Sequence, residues 1–266
     1  MLGLLGVLAL TAGCGQGEGT PTTPSEPSAT DSGLPQSSEP VDLDPADFTT
    51  EIDNEYWPMD PGTQWTYREA DERGQELRVV VTVTSATKEV ANGVTARVVR
   101  DTVTLDGDVV EDTFDWYAQD SAGTIWYLGE DTAEFKAGQI SSREGSFEAG
   151  TDGALPGVIM PGEPAVGMDY RQEYLKGEAE DKGEVLSLDE QAEVPAGHYN
   201  RALLTKDTIT IEPDVLEYKL YAPGVGPVLV LGVSGGGGRE ELVEVSTVPA
   251  DTAHAAGTTP LGESYG

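Results

Sequence analysis

Two dipeptides, Asn92-Gly93 and Asp106-Gly107, separate runs of β-branched and aromatic residues, and this arrangement constrains the chain more than any other feature. Asn-Gly and Asp-Gly tolerate the left-handed backbone that tight hairpin turns require. The runs around them are ELRVVVTVTSA (76–86), TARVVRDTVTL (95–105) and VVEDTFDWYAQD (109–120). Strands joined by tight turns are antiparallel neighbours. The third run alternates, with Phe114, Trp116 and Ala118 on one face and Asp115, Tyr117 and Gln119 on the other. Further strands are predicted at 124–128, 168–175, 184–194, 201–212, 216–222, 226–234 and 239–246. No run of twelve or more residues has a helical period. The expected fold is mainly β, an antiparallel sandwich or open barrel over residues 47–248, a length that can bury a core.

The chain also repeats itself. PGTQWTYRE from Pro61 aligns with VGMDYRQEY from Val166, NGVTARVV (92–99) with AGHYNRAL (196–203), and FDWYA (114–118) with YKLYA (218–222). The intervals agree: Gly62 to Gly93 is 31 residues and Gly167 to Gly197 is 30, while Gly93 to Tyr117 and Gly197 to Tyr221 are both 24. Arg97 and Arg201 fall at equivalent places. The spacing predicts two tandem repeats, about 54–160 and 161–248, packed as a pair around one core because two copies are too few for a solenoid.

The ends differ from the middle. Residues 1–13 carry an uncharged apolar run too short to cross a bilayer, with the length of a signal-peptide core. The run leads through Thr11-Ala12-Gly13 into Cys14, the single cysteine of the chain. This resembles the lipobox of bacterial lipoproteins. The resemblance implies cleavage before Cys14 and acylation of its thiol and new N-terminus, and several acyl chains satisfy the two-signal requirement for stable anchoring. Thr11 stands where the family most often has Leu, and no basic residue precedes the run. A basic segment upstream of Met1 is therefore expected. Residues 15–46, rich in Pro, Ser, Thr, Gly and acids and free of aromatics until Phe48, predict a disordered acidic tether with a reach of roughly 30 Å. Residues 249–266 predict a disordered tail.

Charge narrows the function. Asp and Glu number 48 against 15 Lys and Arg, a formal net of −33, and the first basic residue is Arg68. Nucleic-acid binding, which needs phosphate neutralisation, is excluded, as is spreading of the domain on an anionic membrane. Such a surface gives solubility, suits high salt, and offers carboxylates to divalent cations.

YWPMDPGTQWTY (56–67) resembles the Y-x-P-[LM]-x-x-G-x-x-W-x-Y opening of a group of uncharacterised secreted bacterial proteins and lipoproteins. DWYAQDSAGTIWYLGED, YRQEYLKGEAED and YAPGVGPV resemble further segments of that group. The resemblance covers most of 54–245 and implies a mostly β extracytoplasmic domain, with no reaction attached.

Catalytic signatures are sparse. His198 and His254 are the only histidines, the first in a turn and the second in the tail, and no nucleophile elbow, zinc motif or phosphate loop occurs. The glycines of SGGGGRE (234–240) suit a hairpin turn. A carboxylate-based hydrolase needs only two acids, and the composition cannot select a pair. Glu178, Glu180, Asp181 and Glu184 crowd KGEAEDKGE, where a solvated turn or a Ca²⁺ site are the alternatives. Trp65, Tyr67, Trp116, Trp126 and Tyr170 are either core aromatics or the lining of a groove between the repeats. The expectation is a protein held to the bacterial cell membrane by its N-terminal lipid, outside the cytoplasm, without a cofactor, which binds or carries a small apolar or envelope-derived ligand. A structural or protein-partner envelope lipoprotein and a carboxylate-based hydrolase are the alternatives.

Overall fold

A computed structural model describes residues 33–70, 74–90, 92–235 and 238–266. Cys14, residues 1–13 and the first part of the expected tether lie outside the described residues. A 3-10 turn at Pro45–Asp47 precedes β1 (Phe48–Thr49), β2 (Thr63–Ala70), β3 (Glu76–Glu89), β4 (Thr95–Leu105), β5 (Asp108–Asp120), β6 (Ile125–Lys136), β7 (Gln139–Ser142), β8 (Phe147–Glu148) and β9 (Gly157–Met160). β10 (Asp169–Arg171), β11 (Asp181–Val194), β12 (Gly197–Ile209), β13 (Leu216–Ala222), β14 (Gly226–Ser234), β15 (Arg239–Thr247) and helix α1 (Ala250–Ala256) follow.

The strands form one antiparallel sheet ordered β10-β11-β12-β13-β14-β15-β2-β3-β4-β5-β6-β7, with β1 on β5 and both β8 and β9 on β6. The halves of the chain are thus two up-and-down meanders joined where β15 pairs with β2. Asp106-Gly107 makes the tight turn its residues favour: Leu105 pairs with Asp108, and both turn residues have positive φ, 53° and 91°. Asn92-Gly93 does not make a two-residue hairpin. Its loop is longer, closed by Val90 N donating to Val94 O, with the Asn92 side chain accepting from Val94 N.

The register defines two faces. Trp65, Val81, Asp101, Thr113 and Thr132 align in one row across β2 to β6. Val185, Thr205, Lys219, Val230 and Glu240 align across β11 to β15. Glu240 pairs with Glu69, two residues from Tyr67 and four from Trp65, so both rows share a face. That face is concave. Tyr117 of β5 and Tyr221 of β13 share it, six strands apart in the sheet, a separation of about 29 Å if the sheet were flat. Both nevertheless pack against Trp57, with ring centroids 5.7 and 5.8 Å from it. These are the two tyrosines that the internal alignment matches, and the matched Gly62 and Gly167 likewise each donate a 2.8 Å hydrogen bond, to Val83 O and Val185 O. The matched arginines differ: Arg97 is buried and Arg201 exposed.

The sheet remains an open barrel, and its two ends meet at one isolated bridge, with Leu155 N donating to Tyr174 O at 2.8 Å. Arg171, 1% exposed, holds this seam from outside. Its guanidinium donates to Pro156 O twice (2.7 and 3.1 Å), to Ser37 O (2.7 Å) and to Glu39 O (2.8 Å). Gly157 is needed here because a Cβ would lie 2.0 Å from Gln172 O.

Two segments expected to be disordered are packed. Residues 35–39 of the tether lie along the seam, where Pro35 O accepts from Arg171 N and Gln36 Nε2 donates to Asp169 O, and Val41 and Leu43 pack against the core beyond it. The expected tail holds α1 and returns across the outer face of the first meander. The cause is Arg100, wholly buried on that face. It is paired through two nitrogens with Asp112 and donates to the carbonyls of Ala256, Thr259, Pro260 and Glu263, while the ring of Tyr265 stacks 4.4 Å from its guanidinium carbon. Composition marks the tail as polar; a tertiary ion pair orders it.

Candidate binding site on the concave face

The concave face is apolar in part, with Val79, Val81, Val83 and Val99 beside Trp65, and strongly acidic in the rest. Asp101 follows Val99 at the inward period of β4, and Glu111 and Asp115 point the same way from β5. Tyr127 of β6 places its hydroxyl 2.7 Å from Asp115 Oδ1 and 2.6 Å from Glu130 Oε2. A phenol has one proton to donate, so one of these carboxyls carries its own proton and donates to the tyrosine oxygen. Glu130 is suited to do so: burial, then the charge of Asp115, pushes it up to about 8. Burial, with Glu134 next, raises Glu111 to about 7.

The second meander faces this group with its own. Lys219 Nζ lies 2.9 Å from Asp207 and 3.6 Å from Glu217. Burial alone would lower the lysine, but the two acids outweigh it and hold it well above its ordinary value. Gln172 donates to the same Asp207 oxygen at 3.1 Å. Glu173 is raised by burial and then by Asp181, Glu130 and Asp115, so acids from both ends of the sheet sense one another across the seam. Asp101 is likewise raised by burial, Asp115 and Glu240, which join β4 to β15.

Among the described residues, six polar atoms on or beside this face lack a hydrogen-bond partner: Asp101 Oδ1, Glu173 Oε1, Asp207 Oδ1, Glu240 Oε1, Tyr170 OH and Thr205 Oγ1. Their residues are between 0% and 5% exposed, with Glu240 at 6%. A buried acceptor without a donor costs about 1–3 kcal/mol, and more if charged. Their concentration on one surface is a feature that the packing of the described residues does not itself satisfy.

The residues singled out from sequence are only partly brought together. Trp65, Tyr67 and Tyr170 lie on the concave face, with Trp65 Nε1 donating to Val225 O (2.7 Å) and Tyr67 OH to Pro227 O (3.1 Å). Trp116 and Trp126 point to the opposite face, Trp116 beneath Lys88 Nζ at 4.4 Å and Trp126 edge-on to Phe48 and donating to Asp120. The five therefore do not line one groove, because successive strand residues alternate faces. The acidic run also divides. Glu178 is exposed, Glu180 accepts from Gly177 N in a turn, Asp181 opens β11 facing inward, and Glu184 faces outward to Lys206 at 3.2 Å. The four are thus not brought to one point, and among the described residues no three ligand-type side chains converge. His198 sits in the β11–β12 hairpin beside Asn200. Asp101, Glu130, Glu173, Lys219 and Glu240 were not singled out from sequence. Their signal is a charge in phase with inward-facing residues, as in Val99-x-Asp101-x-Val103.

No family model matches the chain, and no curated protein matches it by sequence. Two solved structures are similar. A Bacteroides fragilis protein assigned as exported, with a YmcC-like fold, shares 14% identity over 72% of this chain and 99% of its own, with a TM-score of 0.44. A Parabacteroides distasonis protein assigned as a lipoprotein shares 11% identity over 72% of this chain and 98% of its own, with a TM-score of 0.39.

Proposed function

We propose that the chain is a lipid-anchored extracytoplasmic binding protein that holds a small ligand on the concave face of its open barrel without transforming it. The observation that carries this reading is the set of buried, unpartnered polar atoms on that face, next to an apolar strip formed by Trp65 and the valines of β3. A ligand with an apolar body and a polar group matches both parts, as an envelope-derived amphiphile would. The lipobox-like segment at Cys14 supplies the address, and the first residues after it supply reach from the membrane. The acids argue for binding over hydrolysis because Asp115 and Glu130 are tied to one tyrosine hydroxyl, whereas a glycosidic pair flanks the bond it cleaves.

Native mass spectrometry of the full chain, purified from bacterial envelopes in mild detergent, tests the proposal. The expected result is a bound species of defined mass that remains after detergent release. A bare chain mass that persists after incubation with envelope extract would overturn it and favour a structural role.

A further inference from the structure

We infer that the polar group this face recognises is an extended organic cation, a chain bearing two or more separated ammonium groups. This rests on the reading of the concave face as a binding surface and adds the chemical class of what it holds. Four observations converge. Most of the unpartnered groups are carboxyl acceptors: Asp101 Oδ1, Glu173 Oε1, Asp207 Oδ1 and Glu240 Oε1, each in a residue at least nine-tenths buried, while the two others, the hydroxyls of Tyr170 and Thr205, can accept as well as donate. Among the described residues, the buried cations of this face and of the seam are already committed. Lys219 is held by Asp207 and Glu217, Arg97 by the carbonyls of Thr50, Thr84 and Ala86, and Arg171 by those of Pro156, Ser37 and Glu39. The four acceptors come from separate elements, β4, the segment after β10, β12 and β15, so the matching donors must be spread over a length. A compact metal ion is a poor fit, since no three ligand-type side chains among the described residues converge. A flexible chain of ammonium groups, each with three donors, reaches separated carboxyl oxygens one by one, and an acid that holds its proton beforehand releases it to solvent as the cation binds.

Spermidine is the probe. The full-length chain in mild detergent is titrated calorimetrically with spermidine at high salt, which screens the exposed carboxylates but not the buried ones. The expected result is saturable binding of one equivalent, weakened about tenfold or more in Asp101→Asn and in Glu240→Gln, and unchanged in Glu178→Gln, whose side chain is exposed in a turn. Both amide substitutions remove an unpaired buried carboxyl, so each variant is expected to melt no lower than the parent. Glu173→Gln is the substitute if one of them melts lower. Absence of saturable binding, equal binding in all variants, or stoichiometric displacement of spermidine by Ca²⁺ would overturn the inference. A native mass spectrum with an uncharged ligand bound alongside any of these results leaves the binding reading standing. An apo mass together with no spermidine binding removes both.

Discussion

Arg100 shows how one side chain decides the state of a segment far from it in sequence. It sits mid-strand in β4 on the convex face, where an arginine would ordinarily reach solvent, yet it is wholly buried. Asp112 neutralises it, and Thr102 Oγ1 (2.8 Å) and Gly262 N (2.7 Å) complete the carboxylate's partners. Each remaining guanidinium proton finds a carbonyl of the C-terminal segment, so the charge is solvated by backbone in place of water. Removing one member of a buried pair strands the other and costs about 3–5 kcal/mol. Arg100→Leu is therefore expected to lower unfolding free energy by about that amount in a denaturant titration, and the double variant Arg100→Leu/Asp112→Leu to recover a large part. A loss below about 1 kcal/mol in the single variant would mean that the pair contributes little more than an exposed one.

At the scale of elements, long strands were legible and short ones were not. β4, β13 and β14 span 95–105, 216–222 and 226–234, the same bounds as the β-branched runs that announced them. A long run has enough alternation to fix both its extent and its faces. β1, β7, β8 and β9 have two to four residues, too few for a period, and exist because β5 and β6 offer them an edge. The packing of residues 33–46 and of α1 was illegible for a related reason: polar sequences were ordered by two buried arginines whose partners lie more than a hundred residues away. The site was half legible. Tyr170 and Asp181 were among the residues named, but a groove drawn through Trp116 and Trp126 crosses the sheet. The seam supplies the test at this scale. Gly157→Ala places a methyl 2.0 Å from Gln172 O and 2.9 Å from Arg171 O, and neither is a flexible side-chain end. Hydrogen exchange at the Leu155 amide is expected to speed up markedly while the β3–β4 hairpin keeps its protection. Unchanged protection of Leu155 would show that the seam tolerates separation and does not join the ends of the sheet.

For the whole molecule, the acids of the concave face determine how stability follows pH. Burial raises Glu111 and Asp181 to about 7 and Glu130 to about 8, from ordinary values of 4.5, 3.8 and 4.5. Asp101, Glu173 and Glu240 are also raised well, each by burial first. A carboxyl that keeps its proton to higher pH when folded than when unfolded makes the folded chain the greater proton binder in between. Its stabilising contribution is complete below the unfolded pKa near 4 and disappears as pH rises through 7 to 8. The net charge of −33 acts in the same direction, because ionisation adds to self-repulsion. Carboxyls held low, such as Glu241 hydrogen-bonded to Arg68, act oppositely but are exposed and screened. The unfolding free energy is therefore expected to rise as pH falls from about 8.5 to about 5, by an amount on the order of 1 kcal/mol for each strongly raised group, and the melting temperature to rise with it. In Glu130→Gln the dependence near pH 8 should flatten, since the amide cannot ionise. A melting temperature that stays level or rises with pH over this range would show the concave face to be wet enough to ionise freely, and the buried acceptors would then need no ligand to satisfy them.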